Sequence, residues 1–119
     1  MIHYTIHANK DAKPFFNPPL ALLCCNDLLK CHTEKKVHIR AFCLMPDHLH
    51  LCINGTKQEL KVFIDRWKSF VTHASWKNGW SGKLWQERFY ATEANGESAK
   101  SAVVDYVLRN PQKAGLVKS

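Results

Sequence analysis

The chain has 119 residues, 45% of them hydrophobic, and carries 17 Lys+Arg against 10 Asp+Glu, for a formal charge of +7 and a pI near 9.3. That length fits one domain around a single core, and no apolar run approaches the roughly 20 residues needed to span a bilayer, which excludes a helical membrane protein. The basic excess lies mostly in residues 56–119 and favours a polyanionic partner such as nucleic acid.

Residues 2–7, Ile-His-Tyr-Thr-Ile-His, alternate apolar and polar, the period of a half-buried strand. Asn17 before Pro18 looks like a helix start, and Leu20, Leu23, Cys24, Asp27, Leu28 and Cys31 follow near-helical spacing to about His32, with only Asp27 interrupting the apolar face. Val37 to Leu44 and His48 to Ile53 read as strands joined into a hairpin by Met45-Pro46-Asp47. From Lys57 to about Trp76, the spacing of Leu60, Phe63, Ile64, Trp67, Phe70, Val71 and Ala74 predicts an amphipathic helix. Residues 77–83 are a loop by their glycines, and Leu84 to Tyr90 is expected as a short strand. A last helix is expected from about Ser98 to Arg109, with Pro111 ending it. The order β-α-β-β-α-β-α predicts an α+β fold, an antiparallel sheet with helices packed on one face.

The five cysteines, Cys24, Cys25, Cys31, Cys43 and Cys52, form no C-x-x-C pair, and no signal-peptide pattern opens the chain. A reduced, cytoplasmic protein with buried thiols is the expectation.

The stretch FCLMPDHLHLCI, residues 42–53, sets two histidines two apart in an apolar run. Residues i and i+2 of a strand share a face, so His48 and His50 stand side by side while Leu49, Leu51 and Ile53 point to the core. Two imidazoles at that spacing can hold one divalent cation and leave positions for a third ligand and substrate oxygens. The plain alternative is a pair of half-exposed surface histidines.

Three more stretches bear on the choice: Trp85-Gln86, Tyr106 to Asn110-Pro111, and Ala114-Gly115-Leu116-Val117. With Met45-Pro46-Asp47-His48-Leu49-His50-Leu51 before them, the chain resembles the single-tyrosine transposases of the HUH superfamily, the IS200-like family, and most closely their REP-associated tyrosine transposase branch. The resemblance runs over residues 2 to 117. It implies a single HUH transposase-like domain over residues 1–119, of ferredoxin-like HUH endonuclease fold. It also implies an enzyme that cleaves and rejoins single-stranded DNA at or near hairpins through a 5′-phosphotyrosine intermediate, with Mg²⁺ or Mn²⁺. Carried over by position, His48, His50 and Asn110 are metal ligands and Tyr106 is the nucleophile. A phenol is a poor nucleophile at neutral pH, so Tyr106 needs a cation on the scissile phosphate. Tyr106 and Asn110, four apart, share a helix face. Without the motif, Tyr106 reads as a helix tyrosine packed beside Val103 and Val107.

For binding DNA, the candidates are Lys61, Lys68, Lys77, Trp80, Lys83, Arg88 and Arg109, cations and a stacking aromatic suited to unpaired strands. Trp85 is expected to be buried and Trp80 exposed. The expected partners are single-stranded or hairpin DNA and no membrane, with the chain a monomer or homodimer. The rival is a catalytically silent hairpin-binding regulator of the same fold. A small metallohydrolase with a water nucleophile is a third reading.

Overall fold

The structure, a computed structural model, describes residues 1–113 and the side chains of residues 1–109. Along the chain run β1 (Ile2–His7), a 3-10 turn (Pro14–Phe16), α1 (Pro18–Thr33), β2 (His38–Met45), β3 (His48–Asn54), α2 (Lys57–Lys77), β4 (Tyr90–Glu93) and α3 (Glu97–Lys113). The strands pair antiparallel in the order β2-β3-β1-β4. Each of the crossovers β1-α1-β2 and β3-α2-β4 therefore skips one strand, which is the ferredoxin-like, α+β arrangement.

Local chemistry sets the element ends. The Asn17 side chain accepts the Leu20 N–H at 3.3 Å and Pro18 and Pro19 fill the first turn of α1, while Thr56 accepts the Glu59 N–H at 3.3 Å to open α2. Pro46 and Asp47 form the tight turn of the β2–β3 hairpin, in which Met45 pairs with His48. The hairpin tip is pinned from two sides, because the Ala8 N–H donates to the Asp47 carbonyl (2.8 Å) and the Phe15 N–H to the Pro46 carbonyl (3.1 Å).

α1 and α2 pack on the sheet face presented by Ile2, Tyr4, Ile6, Leu49, Leu51 and Ile53, adding Leu20, Cys24, Leu28, Leu60, Ile64, Trp67 and Val71 to one core. These two helices lie on one face, as expected. The third lies on the other: Val107 of α3 packs against Ala41, Cys43, Met45 and Cys52. The histidine face is thus partly roofed, and His50, only 6% exposed, is not the half-exposed surface residue of the plain alternative.

Two boundaries differ from the sequence reading. Residues 84–89, expected as most of a strand, do not form one; Leu84 and Trp85 are core residues on an irregular segment, Trp85 forms a single bridge with Ala8, and the strand proper is Tyr90–Glu93. The apolar run reflects burial and not strand period. α3 also passes through Pro111 to Lys113. The proline removes one N–H and disfavours the α region at the residue before it, a local penalty that falls in the last turn, where few bonds depend on it. The five cysteines are free thiols, with Cys24, Cys43 and Cys52 buried. Among the described residues, no helix is long and apolar enough to cross a membrane.

Candidate active site

Because β1 and β3 are antiparallel neighbours, with Thr5 opposite His50 and His7 opposite His48, the polar residues of the two strands share one face. Four imidazoles meet there. His48 Nε2 lies 3.2 Å from His50 Nε2, His50 Nδ1 lies 2.9 Å from His3 Nε2, and the His7 ring stacks on His48 at 5.1 Å between centroids. Outer partners anchor the rings: Asp47 Oδ1 is 2.7 Å from His48 Nδ1, and Thr5 Oγ1 is 3.4 Å from His50 Nδ1.

α3 brings Tyr106 over the buried end of this row. Its ring centroid is 5.9 Å from that of His50 and 6.3 Å from that of His3, both edge-on, and the residue stays 46% exposed. Tyr106 is therefore beside the histidines and open to solvent, not packed away with Val107. At the other end Tyr90 of β4, 71% exposed, meets His7 edge-on at 6.1 Å.

Burial dominates the electrostatics. It pulls His50 down to about 4, helped by the neighbouring charges of His48, His3 and His7, so this imidazole is neutral at physiological pH. Burial lowers His3 as well, and burial followed by the charge of His48 lowers His7. At Asp47 burial acts upward, but the hydrogen bond and charge of His48 outweigh it and hold the carboxyl below its ordinary value. A carboxylate on Nδ1 favours the His48 form with hydrogen there, leaving the Nε2 lone pair turned toward His50.

Two ligand atoms on bonds of about 2.1 Å stand about 3.0 Å apart at a right angle and about 3.4 Å apart at the tetrahedral angle. The 3.2 Å between the two Nε2 atoms falls between those values, so the pair fits two adjacent positions of one small divalent cation. Among the described residues, no group of three or more His, Cys, Asp or Glu side chains suited to a metal is assembled. The Asn110 side chain, expected as third ligand, lies outside the described residues.

The expected DNA contacts are spread over several elements. Lys61 on α2 pairs with Asp65 at 2.8 Å, and Arg109 on α3 pairs with Asp105 at 3.2 Å. Lys68 donates to the Gln86 carbonyl at 3.1 Å and sits over the Phe89 ring, and burial lowers its pKa. It ties the irregular segment to α2. Lys77 and Arg88 are exposed, and Lys83 lies 3.7 Å from Glu87. Trp85 is buried, as expected. Trp80 is half-buried against the core with its Nε1 donating to the Lys83 carbonyl at 3.3 Å, whereas Trp76, in the last turn of α2, is the exposed tryptophan. Gly79 and Gly82, at φ +91° and +81°, turn the chain on either side of Trp80.

Residues 2–110 match the family model described as Transposase IS200 like. The chain belongs to the IS200-like transposase family. It is 30% identical over 95 residues to the REP-associated tyrosine transposase of Escherichia coli (strain K12), a match covering 76% of this chain and 54% of the relative, so it spans about half that protein's length. Among solved structures, a REP-associated tyrosine transposase bound to a REP hairpin superposes with a TM-score of 0.73 at 20% identity, over 98% of this chain and 69% of the other. A Deinococcus radiodurans R1 protein provisionally named a transposase does so with a TM-score of 0.61 at 19% identity, over 92% and 89%. At those identities the likeness is one of fold.

For this family member, the sequence reading singled out His48, His50 and Tyr106, which the fold gathers at one place, and it overlooked His3, Thr5, His7, Asp47 and Tyr90 around them. Asp47 was visible as the neighbour of His48. The alternation in Ile-His-Tyr-Thr-Ile-His put His3, Thr5 and His7 on one polar face, but nothing in the chain says which strand lies beside it.

Proposed function

We propose that the chain is a metal-dependent endonuclease and strand transferase that cleaves and rejoins single-stranded DNA at or near hairpins. The observation that carries this reading is the convergence of His48 Nε2 and His50 Nε2 to 3.2 Å beside the half-exposed Tyr106. The family match and the likeness of fold to a hairpin-bound transposase support the substrate class.

The Tyr106 oxygen attacks the scissile phosphorus, a bond forms between them, and the bond from phosphorus to the upstream 3′ oxygen breaks. The 3′ oxygen takes up a proton from solvent, which receives the phenolic proton in exchange, so the upstream strand leaves with a 3′ hydroxyl and the downstream strand stays joined to Tyr106 through its 5′ phosphate. Attack by another 3′ hydroxyl reverses the exchange and rejoins DNA. Mg²⁺ or Mn²⁺ held by His48, His50 and Asn110 would neutralise charge on the phosphate oxygens. The protein's own part is to keep both Nε2 lone pairs convergent, to hold His50 neutral, and to present Tyr106 on a rigid helix. Lys77, Lys83 and Arg88, with Lys61 and Arg109, are exposed cations suited to steer the strand. The 5.9 Å between the ring centroids of Tyr106 and His50 of the same chain supports a tyrosine that serves its own histidines.

Incubation with hairpin oligonucleotides bearing single-stranded flanks, with Mg²⁺ or Mn²⁺, followed by a denaturing gel, tests the reading. A covalent protein–DNA adduct that disappears in Tyr106→Phe is expected. Cleavage without adduct would point to a water nucleophile, and tight hairpin binding without cleavage to a regulator. Mixing Tyr106→Phe with His48→Ala should give no recovery of activity if each chain uses its own tyrosine.

A further inference from the structure

α3 covers only part of the histidine face. Val107 packs on Ala41, Cys43, Met45 and Cys52, all from β2 and β3, so among the described residues the part toward His7 and β4 stays open. β4 is an outer strand of the sheet and its four residues are exposed. This is the side from which a DNA strand can reach His48 and His50.

Tyr90 stands in that opening. It pairs with Thr5, which pairs with His50, and side chains in such a row share a face, so Tyr90 lies on the histidine side of the sheet. Its ring meets His7 edge-on at 6.1 Å, and at 71% it is the most exposed large apolar side chain among the described residues. A single exposed aromatic is ordinary on a protein surface, but the backbone that carries this one is anchored. Phe89, the residue before it, packs toward the core, where it meets Tyr4 edge-on at 5.5 Å and lies under Lys68 Nζ. The Gln86 N–H donates to the His7 carbonyl at 3.0 Å. A base can therefore stack on the Tyr90 ring without first ordering the chain.

The direction of attack distinguishes the bases on the two sides of the phosphate. In an in-line displacement the attacking and leaving oxygens lie on opposite sides of phosphorus. The rings of the site follow one another as Tyr106, His50, His48, His7 and Tyr90. With Tyr106 attacking from one end, the 3′ oxygen departs toward the other.

We infer that Tyr90 stacks on the unpaired base upstream of the scissile phosphate and so keeps the released 3′ end at the site for rejoining. The upstream placement rests on the function proposed above, whereas stacking of an unpaired base does not require cleavage.

The test uses the full chain carrying Tyr106→Phe, which should leave DNA uncleaved, with Mg²⁺ and hairpin oligonucleotides bearing a single-stranded flank whose scissile position has been mapped with the wild type. Adding Tyr90→Ala should weaken binding by about 5- to 150-fold, the worth of one stacked base, and Tyr90→Phe should keep full affinity, because stacking uses the ring and not the hydroxyl. Removing the upstream base while keeping its sugar and phosphate should weaken binding in the Tyr90 chain and cost almost nothing further in Tyr90→Ala, since both changes delete the same contact. A hairpin without a flank should bind both chains alike, which also shows that Tyr90→Ala folds. Additive losses overturn the inference, as do coupling to a downstream base, an affinity untouched by Tyr90→Ala, and a DNA adduct on Tyr90 itself in the wild type. A chain whose Tyr90 couples to one unpaired base of the flank but which never cleaves would refute the proposed reaction and leave the stacking standing.

Discussion

The two faces of the sheet are built from alternate residues of the same strands and obey different rules. Toward α1 and α2 stand Ile2, Tyr4, Ile6, Leu49, Leu51 and Ile53, all shut off from solvent. Toward α3 stand His3, Thr5, His7, His48, His50 and Cys52. The first face removes apolar surface from water and asks for no directional partners. The second encloses rings that must each find one, and they find them in each other, in Thr5 and in Asp47. The lowered imidazole pKa values mean that this face loses stability as pH falls. A fold can tolerate such a face because the opposite one supplies the cohesion.

The sharpest break between the faces is expected at Tyr106. Tyr106→Phe should abolish adduct formation on a denaturing gel while leaving chemical-denaturation stability within about 1 kcal/mol, the usual worth of one hydrogen bond. His48→Ala should likewise end cleavage yet keep most of the DNA affinity, since phosphate contacts spread over many cations carry binding.

On the first face the pattern should invert. Leu51→Ala is expected to cost about 2–5 kcal/mol in urea unfolding, as for a fully buried leucine, and to alter cleavage only through the folded fraction. Loss of activity in excess of unfolding would mean the faces are not separable.

Acid should separate them more gently. His50 has a folded pKa of about 4 against its ordinary 6.5, so the unfolded chain takes up the proton first as pH falls. The contribution of a neutral His50 is complete above pH 6.5 and is lost progressively toward pH 4, with His3 and His7 acting in the same direction. Thermal melts should therefore show Tm declining over that window, and declining less in His50→Gln.

The smallest effect belongs to the exposed surface. Lys61→Ala breaks an open i,i+4 pair with Asp65 and should change stability by no more than about 0.5 kcal/mol. A larger loss would place Lys61 in the structure's support and not on its solvated surface.

Much of this was legible in the chain, for reasons that differ by element. The helix from Lys57 could be read because its apolar residues repeat at the helical period, and the β2–β3 hairpin because Pro46-Asp47 interrupts a largely apolar stretch of strand length on either side. Residues 84–90 misled because Leu84, Trp85 and Phe89 are apolar for burial alone. Trp80 misled in the opposite way, since a loop can lay an aromatic back on the core without any periodic signal.

By itself the sequence determined the order of strands and helices and most of their bounds, the pairing of His48 with His50 on one face, and the family through motifs kept in order. All of these depend on local period or local identity. Only the tertiary structure decided that α3 crosses to the histidine side, that Tyr106 comes to rest near His50, and that His3 meets His50 from a strand 47 residues earlier in sequence. Those facts depend on sheet order and register, which are chosen by the packing of the whole core and leave no mark in any single stretch of chain.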